Sequence, residues 1–123
     1  MKETTKRWLQ TAENDLAVAG IAFEHRFFDQ CVFHCQQSIE KLLKAMWIEW
    51  LEQPYPKTHG LRALAEALPL ELSDEHRNFL QRLGNQYLPS HYADFDTAYD
   101  EDVALYYQNG TREMYEWLRP QLS

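Results

Sequence analysis

Turn-forming residues, cysteines and long apolar runs are all scarce in this sequence, and each scarcity excludes a class of protein. Four glycines and five prolines among 123 residues are too few for the many tight turns of an all-β fold. Only two cysteines occur, so the chain has no disulfide framework of the kind that stabilises small secreted domains. No apolar run reaches the roughly 18 residues of a membrane span, and no signal peptide is evident. We therefore expect a cytoplasmic protein without a membrane segment.

Basic residues are also in the minority, with 12 lysines and arginines against 19 aspartates and glutamates. The resulting net charge of −7 does not suit a protein that holds nucleic acid through a general electrostatic footprint, because neutralising phosphates needs clustered Lys and Arg. The sequence therefore predicts no non-specific DNA binding. Any contact with nucleic acid would be local.

Apolar and aromatic residues, in contrast, are plentiful, at 45% and 14% of the chain. They recur at helical spacing, whereas strand-like alternation is absent and β-branched residues are few. We expect residues 1–123 to form a single all-α domain with a real core, folded as an antiparallel up-and-down bundle of four to five helices.

Periodicity and capping residues place the first four helices. The first is expected from about Thr5 to Glu24. The second is expected from Asp29, as its N-cap, to about Glu52, before the prolines of QPYPK. Thr58 and Ser73 are the expected N-caps of the third and fourth helices.

The longest irregular stretch is expected from Leu88 to Asp100, and the last helix begins near its end. Asn109 and Gly110 interrupt that helix and are expected to bend it, although the apolar spacing stays in phase across them. The expected inward-facing residues of the last helix are Val103, Tyr106, Tyr107, Met114, Trp117 and Leu118.

Two stripes run along the second helix at about 100° per residue. The core stripe contains Phe28, Cys31, Val32, Cys35, Ile39, Leu42, Leu43, Met46 and Trp50. The stripe beside it has apolar ends and a polar centre, and contains Phe33, Gln36, Gln37, Glu40, Lys44, Trp47 and Leu51.

This mixed stripe favours a face that is covered, either by another helix or by a second copy of the chain. A solvated face does not normally carry Phe, Trp and Leu, and a buried face needs partners for its polar groups. Glu40 and Lys44 have the favourable order for an i,i+4 ion pair. The alternative is a solvated ion pair with a few incidental exposed aromatics.

The histidines and cysteines carry weaker signals. Cys31 and Cys35 are poorly placed for a disulfide within one helix, and we expect buried thiols. These cysteines and His34 provide too few ligands for a structural zinc site, so no metal is expected. His34 is expected to be a satisfied helix histidine, and His25 and His76 surface residues. The four glycines are scattered, so no phosphate-binding loop and no cofactor are expected.

The second helix also carries the run aromatic-His-Cys-Gln-Gln-x-x-Glu-Lys-x-x-Lys-Ala, which is followed by THGL and then by YLPSHYAD. This arrangement resembles the HEPN domain (higher eukaryotes and prokaryotes nucleotide-binding), over about Thr11 to Leu118. The closest similarity is to stand-alone prokaryotic members paired with minimal nucleotidyltransferases. The matching residues of the run are Phe33, His34, Cys35, Gln36, Gln37, Glu40, Lys41, Lys44 and Ala45.

The resemblance implies a homodimer that pairs across the glutamine-bearing helix. It also implies a role near nucleotides or RNA, frequently within toxin–antitoxin or other defence-type modules. The residues that would line or join the covered face are here called the polar seam: Phe33, Gln36, Gln37, Glu40, Lys41, Lys44 and Trp47.

Many HEPN proteins are metal-independent ribonucleases with an Arg followed four to six residues later by His. The nearest pair here is Arg82 and His91, which are further apart. Where related members read Tyr-x-x-x-Arg-Tyr-Pro-Asp, this chain has His for Arg and Ala for Pro. The departure favours a nucleotide- or RNA-binding site over a catalytic one. That site would contain Tyr87, His91, Tyr92 and Asp94.

Three functions follow from this reading. The first is a non-catalytic or weakly catalytic HEPN homodimer that acts as a binding module, with a minimal nucleotidyltransferase as partner. The second is a ribonuclease toxin using Arg82 and His91 of each subunit. The third is a purely structural helical dimer, in which Tyr92 and Phe95 only close the end of the bundle.

Overall fold

A computed structural model of the protein describes residues 1–56, 60–86 and 99–122. Within these ranges the chain forms helices and no strand, which confirms the all-α prediction. The helices are α1 (Glu3–Glu24), α2 (Phe28–Trp50), α3 (Leu61–Glu66), α4 (Asp74–Gly84), α5 (Glu101–Leu118) and a 3-10 helix (Arg119–Gln121). Across the described ranges, no helix is both long and apolar enough to cross a bilayer.

The first two helices form a tight antiparallel pair. The chain reverses between them at Arg26, which has a positive φ of 63°. At the far end, the backbone N–H of Lys2 donates to Glu49 Oε1 at 3.0 Å, and the Lys2 ammonium donates to the Ile48 carbonyl at 2.8 Å. These contacts join the start of α1 to the end of α2.

The last helix, α5, packs against both α1 and α2. It runs antiparallel to α1, because an ion pair of 2.8 Å joins Arg26 after α1 to Glu101 at the start of α5. Further along, Gly20 lies against the side chains of Gln108 and Arg112. The short helices α3 and α4 pack on each other and on α2.

The core lies on the predicted stripe of α2. Cys31, Val32, Cys35, Ile39, Leu42, Leu43 and Met46 are all fully buried there. The two thiols are free and form a hydrogen bond to each other, which lowers the pKa of Cys31 and raises that of Cys35. Burial of the apolar stripe is the main stabilising contribution to the bundle.

The expected cap at Ser73 is confirmed, and Asp100 is a second cap that the structure shows. Ser73 Oγ accepts from the His76 backbone N–H at 3.0 Å, and the Ser73 N–H donates back to His76 Nδ1 at 3.2 Å. Asp100 caps α5 by accepting from the Val103 N–H at 2.9 Å. His76, expected at the surface, is half-buried there: it completes this capping box, and its ring packs 4.0 Å from that of Trp117.

Other boundaries differ from the predictions. Phe27, not Asp29, is at the N-cap position of α2, which ends at Trp50. Asp29 instead accepts from the backbone N–H of Tyr99 at 3.0 Å, a contact that no local pattern could indicate. Gly60 is at the N-cap position of α3, and the expected cap Thr58 lies outside the described residues.

The last helix is not interrupted at Gly110. It is continuous from Glu101 to Leu118, and the ring of Phe79 packs against it at Gly110. A Cβ at this position would overlap the ring, 2.6 Å from Phe79 Cζ, so the missing side chain allows α4 to approach α5.

Two residues of α5 that were expected to face inward, Val103 and Tyr106, are exposed. The face of α5 that packs on the core is narrower than the stripe of apolar residues along the helix.

Candidate functional site

The polar seam of α2 is not displayed freely to solvent. Gln36 and Trp47 are buried, with 5% and 7% of their surface exposed. The other five seam residues are half-buried. The side-chain amide of Gln37 donates to Gln36 Oε1 at 2.7 Å, so each of these glutamines provides a partner for the other. The prediction of a covered, hydrogen-bonded face is consistent with this arrangement.

The strongest contact of the seam reaches α1. Lys41 Nζ lies 2.6 Å from Asp15 Oδ2, and His34 Nδ1 lies 2.8 Å from Asp15 Oδ1. The carboxylate is thus held by two side chains of α2, and all three side chains are largely removed from water. The contact satisfies His34, as expected, and it fixes α1 on α2.

Sequence reasoning missed Asp15. One signal could have found it, because Asp15 lies three residues after Ala12 and four before Ala19, on the buried face of α1. A carboxylate in that position needs a buried cationic or hydrogen-bonding partner. No local feature says that the partners come from α2.

The predicted ion pair between Glu40 and Lys44 does not form. Lys44 Nζ lies instead between two rings, 4.8 Å from the centroid of Trp8 and 4.7 Å from that of Tyr55. The ring quadrupoles attract the ammonium, and this cation–π attraction is stronger at a half-buried site than in open water. Burial raises the pKa of Tyr55, and the negative charge of Glu40 raises it further.

The residues after α2 complete the cover of the seam. Trp47 Nε1 donates to the Gln53 carbonyl at 3.2 Å, and its ring meets the edge of Tyr55 at 6.1 Å. Lys41, Lys44 and Trp47 are therefore covered by α1 and by the chain after Trp50. Their polar groups find partners inside one subunit.

Arg82, the sequence candidate on α4, is exposed near the end of that helix. Its guanidinium donates to the Tyr106 hydroxyl at 2.9 Å. Within the ranges that the structure describes, Arg82 has no carboxylate partner, whereas Arg26, Arg62 and Arg77 each form an ion pair. Its positive charge remains available to an anionic ligand.

Tyr87, His91, Tyr92 and Asp94 lie outside the described residues, in the segment 87–98. The residues on either side of this segment are in contact. The Tyr99 hydroxyl donates to Gln86 Oε1 at 2.7 Å, and the Gln86 amide donates to the Arg82 carbonyl at 3.0 Å. Burial raises the pKa of Tyr99 to about 12, so this hydroxyl remains a donor at neutral pH. The described residues on either side of the segment, Gln86 and Tyr99, therefore lie near the end of α4.

In the described ranges, no group of three or more His, Cys, Asp or Glu side chains could hold a metal ion. The chemistry of the described site is that of an arginine, a phenol and carboxamides. A guanidinium, a phenol hydroxyl and a carboxamide NH₂ can each donate a hydrogen bond to an anion.

Comparison with known proteins identifies the family. A sequence model of the HEPN domain matches residues 5–121. The chain belongs to the HEPN family. No curated protein matches it significantly.

Two solved structures share the HEPN chain's fold. The crystal structure of TT1696 from Thermus thermophilus superposes with a TM-score of 0.85 at 19% identity, over 98% of this chain and 100% of that one. ST0689, an archaeal HEPN homologue, gives a TM-score of 0.77 at 24% identity over 100% of both chains. At these identities the likeness establishes the helical fold and nothing finer.

Proposed function

We propose that this chain is a single-domain HEPN binding module that acts as a homodimer. Its partner would be a minimal nucleotidyltransferase in a toxin–antitoxin or defence-type pair. A nucleotide or RNA would bind at the segment 87–98, through Tyr87, His91, Tyr92 and Asp94, with Arg82 beside them.

The observation that supports the binding proposal is the position of Arg82 near the described residues that precede and follow the segment. The Tyr99 hydroxyl donates to Gln86, and the Gln86 amide donates to the Arg82 carbonyl at the end of α4. Arg82 has no carboxylate partner among the residues that the structure describes. A cation close in the chain to a histidine and two tyrosines suits a phosphate ester with a stackable base.

The binding proposal is tested by titrating fluorescein-labelled single-stranded and structured RNA, and a labelled nucleotide, with wild type and His91→Ala. We expect His91→Ala to weaken binding several-fold through loss of a polar contact. His25→Ala is the matched control, because His25 is an exposed histidine at the end of α1. Equal affinity of all three proteins would contradict the proposed site.

The homodimer proposal rests on Glu40, in the centre of the polar seam. Glu40 is half-buried there, and among the described residues its carboxylate has neither a hydrogen bond nor an ion pair. Light scattering is expected to give twice the chain mass of 14.7 kDa. Glu40→Arg should shift the mass towards the monomer, because it reverses a charge in the proposed interface. Glu13→Arg makes the same change at an exposed position of α1 and should leave the mass unchanged. A monomeric wild type would refute the proposal.

Metal-independent RNA cleavage is the second candidate function, favoured by the same guanidinium, which no carboxylate neutralises among the described residues. An arginine near a histidine could stabilise the phosphorane while the histidine transfers protons. The two functions separate in one assay, with chelator present. Cleavage lost in both Arg82→Gln and His91→Ala would establish the enzyme, whereas binding without cleavage supports the module.

A further inference from the structure

We propose that the groove between α4 and α5 binds an arginine- or lysine-bearing segment of a partner protein. This α4–α5 groove is an open cavity of about 800 Å³. Its lining residues include Glu75, Asn78 and Phe79 from α4, and Tyr106, Asn109 and Glu113 from α5. Arg82 also lines the groove, but the inference rests on its carboxylates and carboxamides and on another ligand class than the RNA-binding proposal.

Unpaired acidic groups lie on both walls of the groove. Glu75 comes from α4 and Glu113 from α5, and over the described part of the chain neither carboxylate forms an ion pair or hydrogen bond. This is unlike Glu66 and Glu101, which are paired with arginines. A ligand with two cationic groups would find a carboxylate on each side.

Carboxamides extend the set of acceptors. Asn78 lies on the α4 wall and Asn109 on the α5 wall, and no hydrogen bond occupies either side-chain amide among the described residues. Their carbonyl oxygens can accept from the N–H groups of a guanidinium or ammonium, and their NH₂ groups can donate to a peptide backbone.

An exposed aromatic ring lines the same groove. The Tyr106 ring is 45% exposed and meets the Phe79 ring edge-on at 6.0 Å. The Tyr106 hydroxyl accepts from Arg82, which holds the ring in place. An exposed ring and carboxylates that line one groove can together bind a segment with guanidinium or ammonium groups, by cation–π and charge-assisted contacts.

The charges that line the α4–α5 groove favour a basic ligand over a phosphate-bearing one. The groove has two carboxylates and one guanidinium, and the guanidinium lies at one end and is bonded to Tyr106. A phosphate in the middle of the groove would be repelled by the carboxylates. A basic segment is complementary both to the groove and to a chain of net charge −7. The basic segment is thus expected at the carboxylates of the groove and not at Arg82, which the RNA proposal uses.

The probe is a fluorescein-labelled peptide of alternating glycine and arginine, titrated at low salt into the full chain. We expect Glu75→Gln with Glu113→Gln to weaken binding about tenfold, as two lost charge contacts would. Glu13→Gln with Glu24→Gln removes the same charge from α1 and should leave the affinity unchanged. A lysine peptide should bind similarly, and a glutamate peptide should not bind.

Two results would overturn the proposal. One is an equal loss of affinity in the groove and control variants, because the peptide would then respond only to net charge. The other is an altered oligomeric mass of the groove variant with unchanged peptide affinity, which would assign the groove to contact with a second copy. Circular dichroism of each variant verifies the fold, and RNA affinity measured in parallel separates failure here from failure of the RNA site.

Discussion

Replacing Asp15 with alanine is expected to lower the free energy of unfolding by about 3 kcal/mol. The change removes the carboxylate that holds Lys41 at 2.6 Å and His34 at 2.8 Å. The Lys41 ammonium then remains largely buried without an opposite charge, which is costlier than losing a pair exposed to water. Urea unfolding followed by circular dichroism measures the effect.

Two variants show that the pairing is responsible. Glu13→Ala removes an exposed carboxylate from the same helix and should leave the unfolding midpoint unchanged. In a Lys41→Met background, Asp15→Asn should cost much less than it does in wild type, because the buried cation is already gone. Equal costs in the two backgrounds would show that Asp15 and Lys41 do not stabilise each other.

Replacing Gly110 with alanine is expected to destabilise the protein by about 1–2 kcal/mol. This opposes helix propensity, which alone would favour alanine by roughly 1 kcal/mol within a helix. The added methyl would overlap Phe79 Cε1 and lie 2.6 Å from Cζ, so the ring must move and α4 must shift from α5. The shift of the midpoint of thermal unfolding shows directly whether the variant is less or more stable than wild type.

In a second genetic background, Gly110→Ala is expected to stabilise the protein instead of destabilising it. In Phe79→Ala the space opposite Gly110 is empty, so Gly110→Ala should raise stability there by up to about 1 kcal/mol. Asn109→Ala, on the neighbouring exposed position, should be nearly neutral in both backgrounds. If Gly110→Ala changes the stability in the same direction with and without Phe79, the close packing of α4 on α5 does not cause the destabilisation.

The regular parts of the fold could be predicted because they depend on residues close in sequence. The buried stripe of α2 follows from apolar spacing alone, and every residue from Cys31 to Met46 on it is buried as expected. The caps at Ser73 and Asp100 follow from one side chain and an N–H three residues on. Such contacts need no knowledge of the tertiary structure.

The polar contacts could not be predicted because their partners are distant in sequence. Lys44 matched the local rule for an ion pair with Glu40, yet the rings of Trp8 and Tyr55 take its ammonium. Packing α1 on α2 brings those rings together, and an i,i+4 pair in water is too weak to compete. Asp15 was overlooked for the same reason, since its partners lie on another helix.

The candidate site also has a part that the sequence could predict and a part that it could not. The HEPN motif in α2 identified the family because its residues are closely spaced and their order is specific. The proposed ligand residues Tyr87, His91, Tyr92 and Asp94 remain a prediction, and the structure adds how the chain on either side of them is anchored. The α4–α5 groove had no sequence signal, because its walls come from separate helices.

The most direct test of the account is the RNA affinity of Arg82→Gln compared with that of Arg77→Gln. Both variants remove one positive charge from α4, but Arg77 is already paired with Asp74 and Glu66, whereas Arg82 is bonded only to the neutral Tyr106 and Gln86 among the described residues. Fluorescence anisotropy at several salt concentrations should show about tenfold weaker binding for Arg82→Gln, with a salt slope smaller by about one. Arg77→Gln should behave as wild type. Equal affinities and slopes for the two variants would contradict a binding site at Arg82.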